Sequence, residues 1–102
     1  MKSKISPELL AHCAAALKVL AHPARLRIAE ILESHRCTVG ELADELRAPQ
    51  AVASQHLARM KSVGLLVVER EGRRSFYRVN DPSCFAVLDC IRARASRKRG
   101  GP

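Results

Sequence analysis

The stretch "TVGELADELRAPQAVASQHLARMKSVG", residues 38–64, restricts the fold of this chain more than any other. Thr38 followed three residues later by Glu41 has the spacing of a capping box. Val39, Leu42 and Leu46 then fall on one side of a helix. "RAPQ" ends it, because Pro49 disfavours helix at Ala48 and suits the start of another. The next helix runs from about Gln50 to Val63, with Gly64 as its stop. On a helical wheel Ala53, Leu57 and Met60 share one face, which must turn inward.

The flanks complete the pattern. "SPELLAHCAAALKVLAH" opens with Ser6 as N-cap, Pro7 at the first helical position and Glu8 in the first turn. Leu10, Cys13, Ala14, Leu17 and Leu20 recur at helical spacing. Pro23 interrupts, and "ARLRIAEILES" predicts a second short helix. "LLVVERE" and "SFYRV" predict two strands joined across "EGRR". A last helix opens at Asp81-Pro82 and runs to about Ser96. A length of 102 residues fits one domain, residues 1–96, followed by a loose basic tail at 97–102. Trp is absent and aromatics are 3%, so the core is aliphatic, which favours packed helices over a β-sandwich. The expected class is mainly α with a small β-hairpin. Its five helices carry a two-stranded hairpin between the fourth and fifth. The third and fourth helices have the spacing of a helix-turn-helix, and the hairpin makes it a winged version.

Charge is one-sided. Residues 1–46 carry six Lys/Arg and six Asp/Glu, whereas residues 47–102 carry twelve against four. A basic half suits a polyanion, nucleic acid or an anionic membrane. No apolar run approaches the roughly 20 residues needed to cross a bilayer. "MKSKISPELL" lacks the apolar run of a signal peptide, so a cytoplasmic protein without a membrane partner is expected. Between Leu46 and Val68 there is no Asp or Glu. The outer face of the fourth helix carries Ala51, Ser54, Gln55, Ala58, Arg59 and Ser62, and an acid-free face suits phosphate. Gln55 can make paired hydrogen bonds to an adenine edge, and Ser54 can reach a base or phosphate. Ala51 and Ala58 leave room for close approach. Gln50 is a further candidate for DNA contact, and His56 flanks the recognition helix, where it can reach phosphate. Arg73 and Arg74, after Gly72, are candidates for a minor groove or phosphate. Arg47, Lys61, Arg70 and Arg78 are weaker phosphate candidates. Arg92, Arg94, Arg97, Lys98 and Arg99 add charge that solubility alone would explain.

Four motifs together resemble one family, the ArsR/SmtB-type winged helix-turn-helix transcriptional repressors. "LKVLAHPARLRIAEIL" resembles its second-helix entry and "TVGELADEL" its third helix. "SQHLARMKSVGLL" resembles its recognition helix, and "REGRRSFYRV" its wing. The match covers about residues 14–90. The resemblance implies a homodimer through the first and last helices, bound to a near-palindromic double-stranded operator. The apolar stripes Leu10, Leu17, Leu20 and Leu88, Ile91, Ala95 support such an interface. One departure lies at the recognition helix, where Pro49, Gln50, Ala51 and Val52 replace the family's Ser-x-Ser/Thr, losing hydroxyl contacts.

The familiar metal sites of the family do not match. Thr38 and Gly40 stand where its third-helix cysteines would be, and Cys37 is out of register. Asp81, Ser83, Arg94 and Arg97 stand where its last-helix zinc ligands would be. No metal or cofactor is therefore expected at either place. Cys13, Cys37, Cys84 and Cys90 contain no C-x-x-C, and a disulfide framework does not suit this setting. They are packed thiols or a thiol or metalloid sensor, with Cys13 and Cys90 able to meet across a dimer. His22 caps or packs; His12 and His35 are candidates for a dispersed metal site. No phosphate loop, H-E-x-x-H or paired nucleophile is present, so no enzyme is expected. The rival class is a winged helix that binds protein instead of DNA.

Overall fold

The computed structural model describes residues 3–100, with side chains described through residue 97. Side chains set the starts of four of the five helices. Ser6 Oγ accepts from Leu9 N at 3.1 Å and opens α1, Pro7–Leu20. His22 Nδ1 accepts from Ala24 N at 3.1 Å and opens α2, Pro23–Ser34. The expected capping box forms at α3, Val39–Leu46: Thr38 Oγ1 accepts from Glu41 N at 3.2 Å, and Glu41 Oε1 accepts from Thr38 N at 2.8 Å. These bonds hold the Glu41 carboxyl below its usual range. Thr38→Ala removes the cap and is expected to cost about 1 kcal/mol. Thermal unfolding followed by circular dichroism should show a Tm lower by about 4–8 °C.

The turn after α3 places Arg47 in the left-handed region, with φ 54°. α4, Gln50–Ser62, follows. Gly64, with φ 82°, takes the positive angle that its role as stop requires. β1, Leu66–Glu71, pairs antiparallel with β2, Arg74–Val79, from Leu66 opposite Val79 to Glu71 opposite Arg74. Only Gly72 and Arg73 form the loop. A positive φ of 62° at Gly72 and none at Arg73 match a type II′ turn. Arg73 is therefore the tip, and Arg74, expected beside it in the loop, is the first residue of β2. Cys37 forms a bridge to Tyr77, donating from N to Tyr77 O at 3.1 Å and accepting from Tyr77 N at 2.7 Å. The wing is thereby stitched to the chain just ahead of α3, a pairing too short to leave a periodic signal.

α5, Ser83–Gly100, starts with Asp81 Oδ1 accepting from Ser83 N at 2.9 Å. It continues past the expected Ser96, so residues 97–100 of the expected loose tail are helical. Residues 101–102 lie outside the described residues.

Leu20, Ile28, Leu42, Leu57, Met60, Leu65 and Leu66 are buried at the centre. The apolar stripes of α1 and α5 do not both stay there. Leu20 and Leu88 are buried, but Leu17 is 44% exposed and Ile91 42% exposed. Leu10, Cys13 and Ala95 are exposed too. The radius of gyration, 15.4 Å, exceeds the roughly 13 Å of a compact chain of about 100 residues. α1 and α5 overhang the core.

Candidate nucleic-acid interface

α4 divides as the wheel predicts. Ala53, Leu57 and Met60 are fully buried. Gln50, Ala51, Ser54, Gln55, Ala58, Arg59 and Ser62 are exposed. Among the described residues, the side chains of Gln50, Ser54, Gln55 and Arg59 make no hydrogen bond or ion pair. Their donors and acceptors point to solvent, unsatisfied by protein.

The start of α4 differs from the other helix starts. Pro49 occupies the N-cap and offers no side-chain bond. Val52 N and Ala53 N both reach Pro49 O, at 3.0 and 3.2 Å. The amides of Gln50 and Ala51 find no partner among the described residues. With no acid in the first turn, the positive end of the helix dipole is open to an anion. These two amides were not among the candidates drawn from the sequence. The available signal was Pro49 in a place usually held by Ser, Thr, Asp or Asn.

His56 is a correction. It was expected to flank the outer face, but it is half-buried and turned toward α2. Its Nδ1 accepts from Arg25 Nε at 3.1 Å, and its ring lies 4.8 Å from that of His22. Burial, with His22 and Arg25 adding to it, holds its pKa below the usual histidine range.

The wing sorts its arginines. Arg73 is exposed at the tip, with no partner among the described residues. Arg74 lies over Phe76, 5.4 Å from the ring centroid, and opposite Glu71. Arg36 stacks on the same ring at 4.3 Å and pairs with Glu69 at 3.3 Å and with Glu71. Arg78, a phosphate candidate by sequence, is taken by Glu69 at 2.7 Å. The Arg78 guanidinium, then Arg36, holds the Glu69 carboxyl below its usual range. Arg92 pairs with Glu33 at 2.5 Å and Asp89 at 3.3 Å, tying α5 to α2. Such surface pairs add little stability, but they neutralise charge. Arg47, Arg59, Lys61, Arg70 and Arg73 remain exposed and unpaired among the described residues.

The four cysteines fall into two pairs. Cys37 and Cys84 are buried. Burial pushes the Cys37 thiol up and the Cys84 thiol to about 11. That disfavours the thiolate, the reactive form. Cys13 and Cys90 are exposed on α1 and α5. Among the described residues no three His, Cys, Asp or Glu side chains converge as metal ligands.

A helix-turn-helix whose second helix bears an open polar face, beside a hairpin with a free arginine at its tip, defines the winged helix-turn-helix class. A family model described as a helix-turn-helix domain matches residues 20–69. The chain belongs to the ArsR/SmtB-type family of winged helix-turn-helix transcriptional repressors. It is 43% identical over 86 residues to the transcriptional repressor SmtB of Mycobacterium tuberculosis, covering 82% of this chain and 63% of that protein. The chain thus spans less than two thirds of SmtB. It is 34% identical over 76 residues to the transcriptional repressor PagR of Bacillus anthracis, covering 74% of this chain and 76% of that one. A homodimeric winged helix-turn-helix DNA-binding domain from Mycobacterium bovis, a possible ArsR-family regulator, superposes with a TM-score of 0.78 at 27% identity. That match covers 96% of this chain and 93% of the other.

Proposed function

We propose that this chain is a homodimeric, sequence-specific DNA-binding repressor acting on a near-palindromic operator. The observation that carries this is the outer face of α4, exposed and acid-free, on which the side chains of Gln50, Ser54, Gln55 and Arg59 make no hydrogen bond or ion pair among the described residues. With α4 in a major groove, Gln55 and Ser54 meet base edges, and Ala51 and Ala58 allow close approach. Gln50 and Arg59 flank the groove, and the amides of Gln50 and Ala51 take a phosphate. Arg73 enters the adjacent minor groove or holds a backbone phosphate. Arg74, stacked on Phe76, supports the wing and adds positive field.

The dimer reading is supported by the exposed apolar residues of α1 and α5, by their overhang, and by the homodimeric relative. Two copies of α4 related by a dyad meet half-sites about one helical turn apart. The residues at the family's metal positions do not fit a metal ion. Thr38 is used as a cap, Asp81 Oδ1 accepts from Ser83 N, and Arg94 and Arg97 are cations. The chain is thereby read as a regulator that does not use those two metal sites. A thiol- or metalloid-responsive form would rest on Cys13 and Cys90, which alone of the four cysteines are exposed.

The test separates reader from anchor. Gln55→Ala should cost about 1–3 kcal/mol on a duplex that the protein selects from a random pool, and almost nothing on random DNA. Arg73→Ala should weaken both alike and lower the salt slope by about one per protomer. Identical behaviour of the two variants on both duplexes would overturn the assignment, and a protein-binding module would bind neither duplex.

A further inference from the structure

We propose that Arg25 and His56 form a latch that sets the seat of the recognition helix, so that His56 governs DNA binding from behind α4 and not by touching the duplex. This rests on the DNA-binding reading above.

Arg25 joins three helices. It belongs to α2, its Nη1 donates to Val19 O in the last turn of α1 at 3.0 Å, and its Nε donates to His56 Nδ1 on α4 at 3.1 Å. His56 adjoins Gln55 in sequence but faces inward. Its ring lies 4.8 Å from His22, tilted 57°. His22 is itself held at the start of α2, with Nδ1 accepting from Ala24 N. The end of α1, the start of α2 and the middle of α4 therefore meet in one cluster. A ring nitrogen that accepts from Arg25 carries no proton, so the latch needs neutral His56. Beside it lies a cavity of about 340 Å³, with Pro23, Ala24 and Val52 in its wall.

The charged and titratable groups around His56 are His22 and Arg25 on α2, and Arg27 and Glu45 on the cavity wall. Arg27 is paired with Glu30, and Glu45 is the one acid on that wall. A protonated His56 would meet Arg25 with like charge. The latch is thus whole above the ordinary histidine pKa of about 6.5 and is lost as pH falls through the lowered pKa of His56. A histidine touching phosphate would behave oppositely, gaining affinity on protonation.

The test measures affinity of the full chain for a duplex that it selects from a random pool, by fluorescence anisotropy, between about pH 7.5 and about pH 5. Circular dichroism monitors folding. The wild type is expected to weaken by about threefold or more on acidification. His56→Asn keeps an acceptor near the position of Nδ1 and does not titrate. It should bind like wild type at neutral pH and lose the acid weakening. His22→Asn, which preserves the cap, should retain it. Arg25→Ala should bind more weakly throughout; if it unfolds, His56→Asn alone carries the decision. The latch is overturned if the wild type tightens or stays flat on acidification, if His56→Asn keeps the weakening, or if His22→Asn abolishes it. If selection enriches no duplex, the DNA-binding reading itself falls, a distinct result.

Discussion

Affinity for duplex DNA is expected to fall by roughly 10³- to 10⁵-fold as monovalent salt rises from about 50 to about 200 mM. Arg47, Arg59, Lys61, Arg70 and Arg73 are exposed without partners among the described residues. In the proposed dimer, two protomers double that set. Neutralising about six to ten phosphates releases as many condensed counterions, and log affinity falls with log salt by about 0.9 for each. Arg78 and Arg92 do not count toward the slope, because Glu69 and Glu33 already hold them. Fluorescence anisotropy across a salt series reads the slope directly. Ile91→Glu places a charge on the overhanging apolar face of α5 and should halve the slope by leaving monomers. An affinity that stays level over this range would remove the DNA reading.

Leu57→Ala is expected to cost about 2–5 kcal/mol of folding stability. Leu57 is fully buried on the inner face of α4, among the residues of the central core. Truncation removes its transfer free energy and leaves a cavity that packed neighbours fill only in part. A domain has about 5–15 kcal/mol in all, and a small one sits low in that range. Urea unfolding should show a midpoint shifted sharply downward. Gln55→Ala, two positions away on the outer face, should change stability by less than about 0.5 kcal/mol. Equal effects of the two substitutions would mean that the inner and outer faces of α4 are misassigned.

Much of the fold was legible because its signals are local. The capping box at Thr38 and Glu41, the stop at Gly64 and the 3.6-residue spacing of Ala53, Leu57 and Met60 all act within a few residues. Each survives into the structure unchanged. The candidate interface was legible in outline for the same reason, since one helix face is fixed once its opposite face is buried. The wing boundary was less so. Arg74 could stand in a loop or a strand, and the pairing of Glu71 with Arg74 decided for the strand.

The sequence by itself determined which elements form, which face of α4 is outward, and that positive charge gathers in the second half of the chain. Only the tertiary structure decided which of those charges are free. Arg92 meets Glu33 across 59 positions of chain, and Arg25 meets His56 across 31. It also decided that Cys37 is a buried bridge to Tyr77, and that Leu17 and Ile91 lie outside the core while Leu20 and Leu88 lie within it. The reason is physical. Caps and helical periodicity are satisfied by neighbours along the chain, whereas an ion pair, a buried thiol or an overhanging apolar stripe depends on what another element brings beside it.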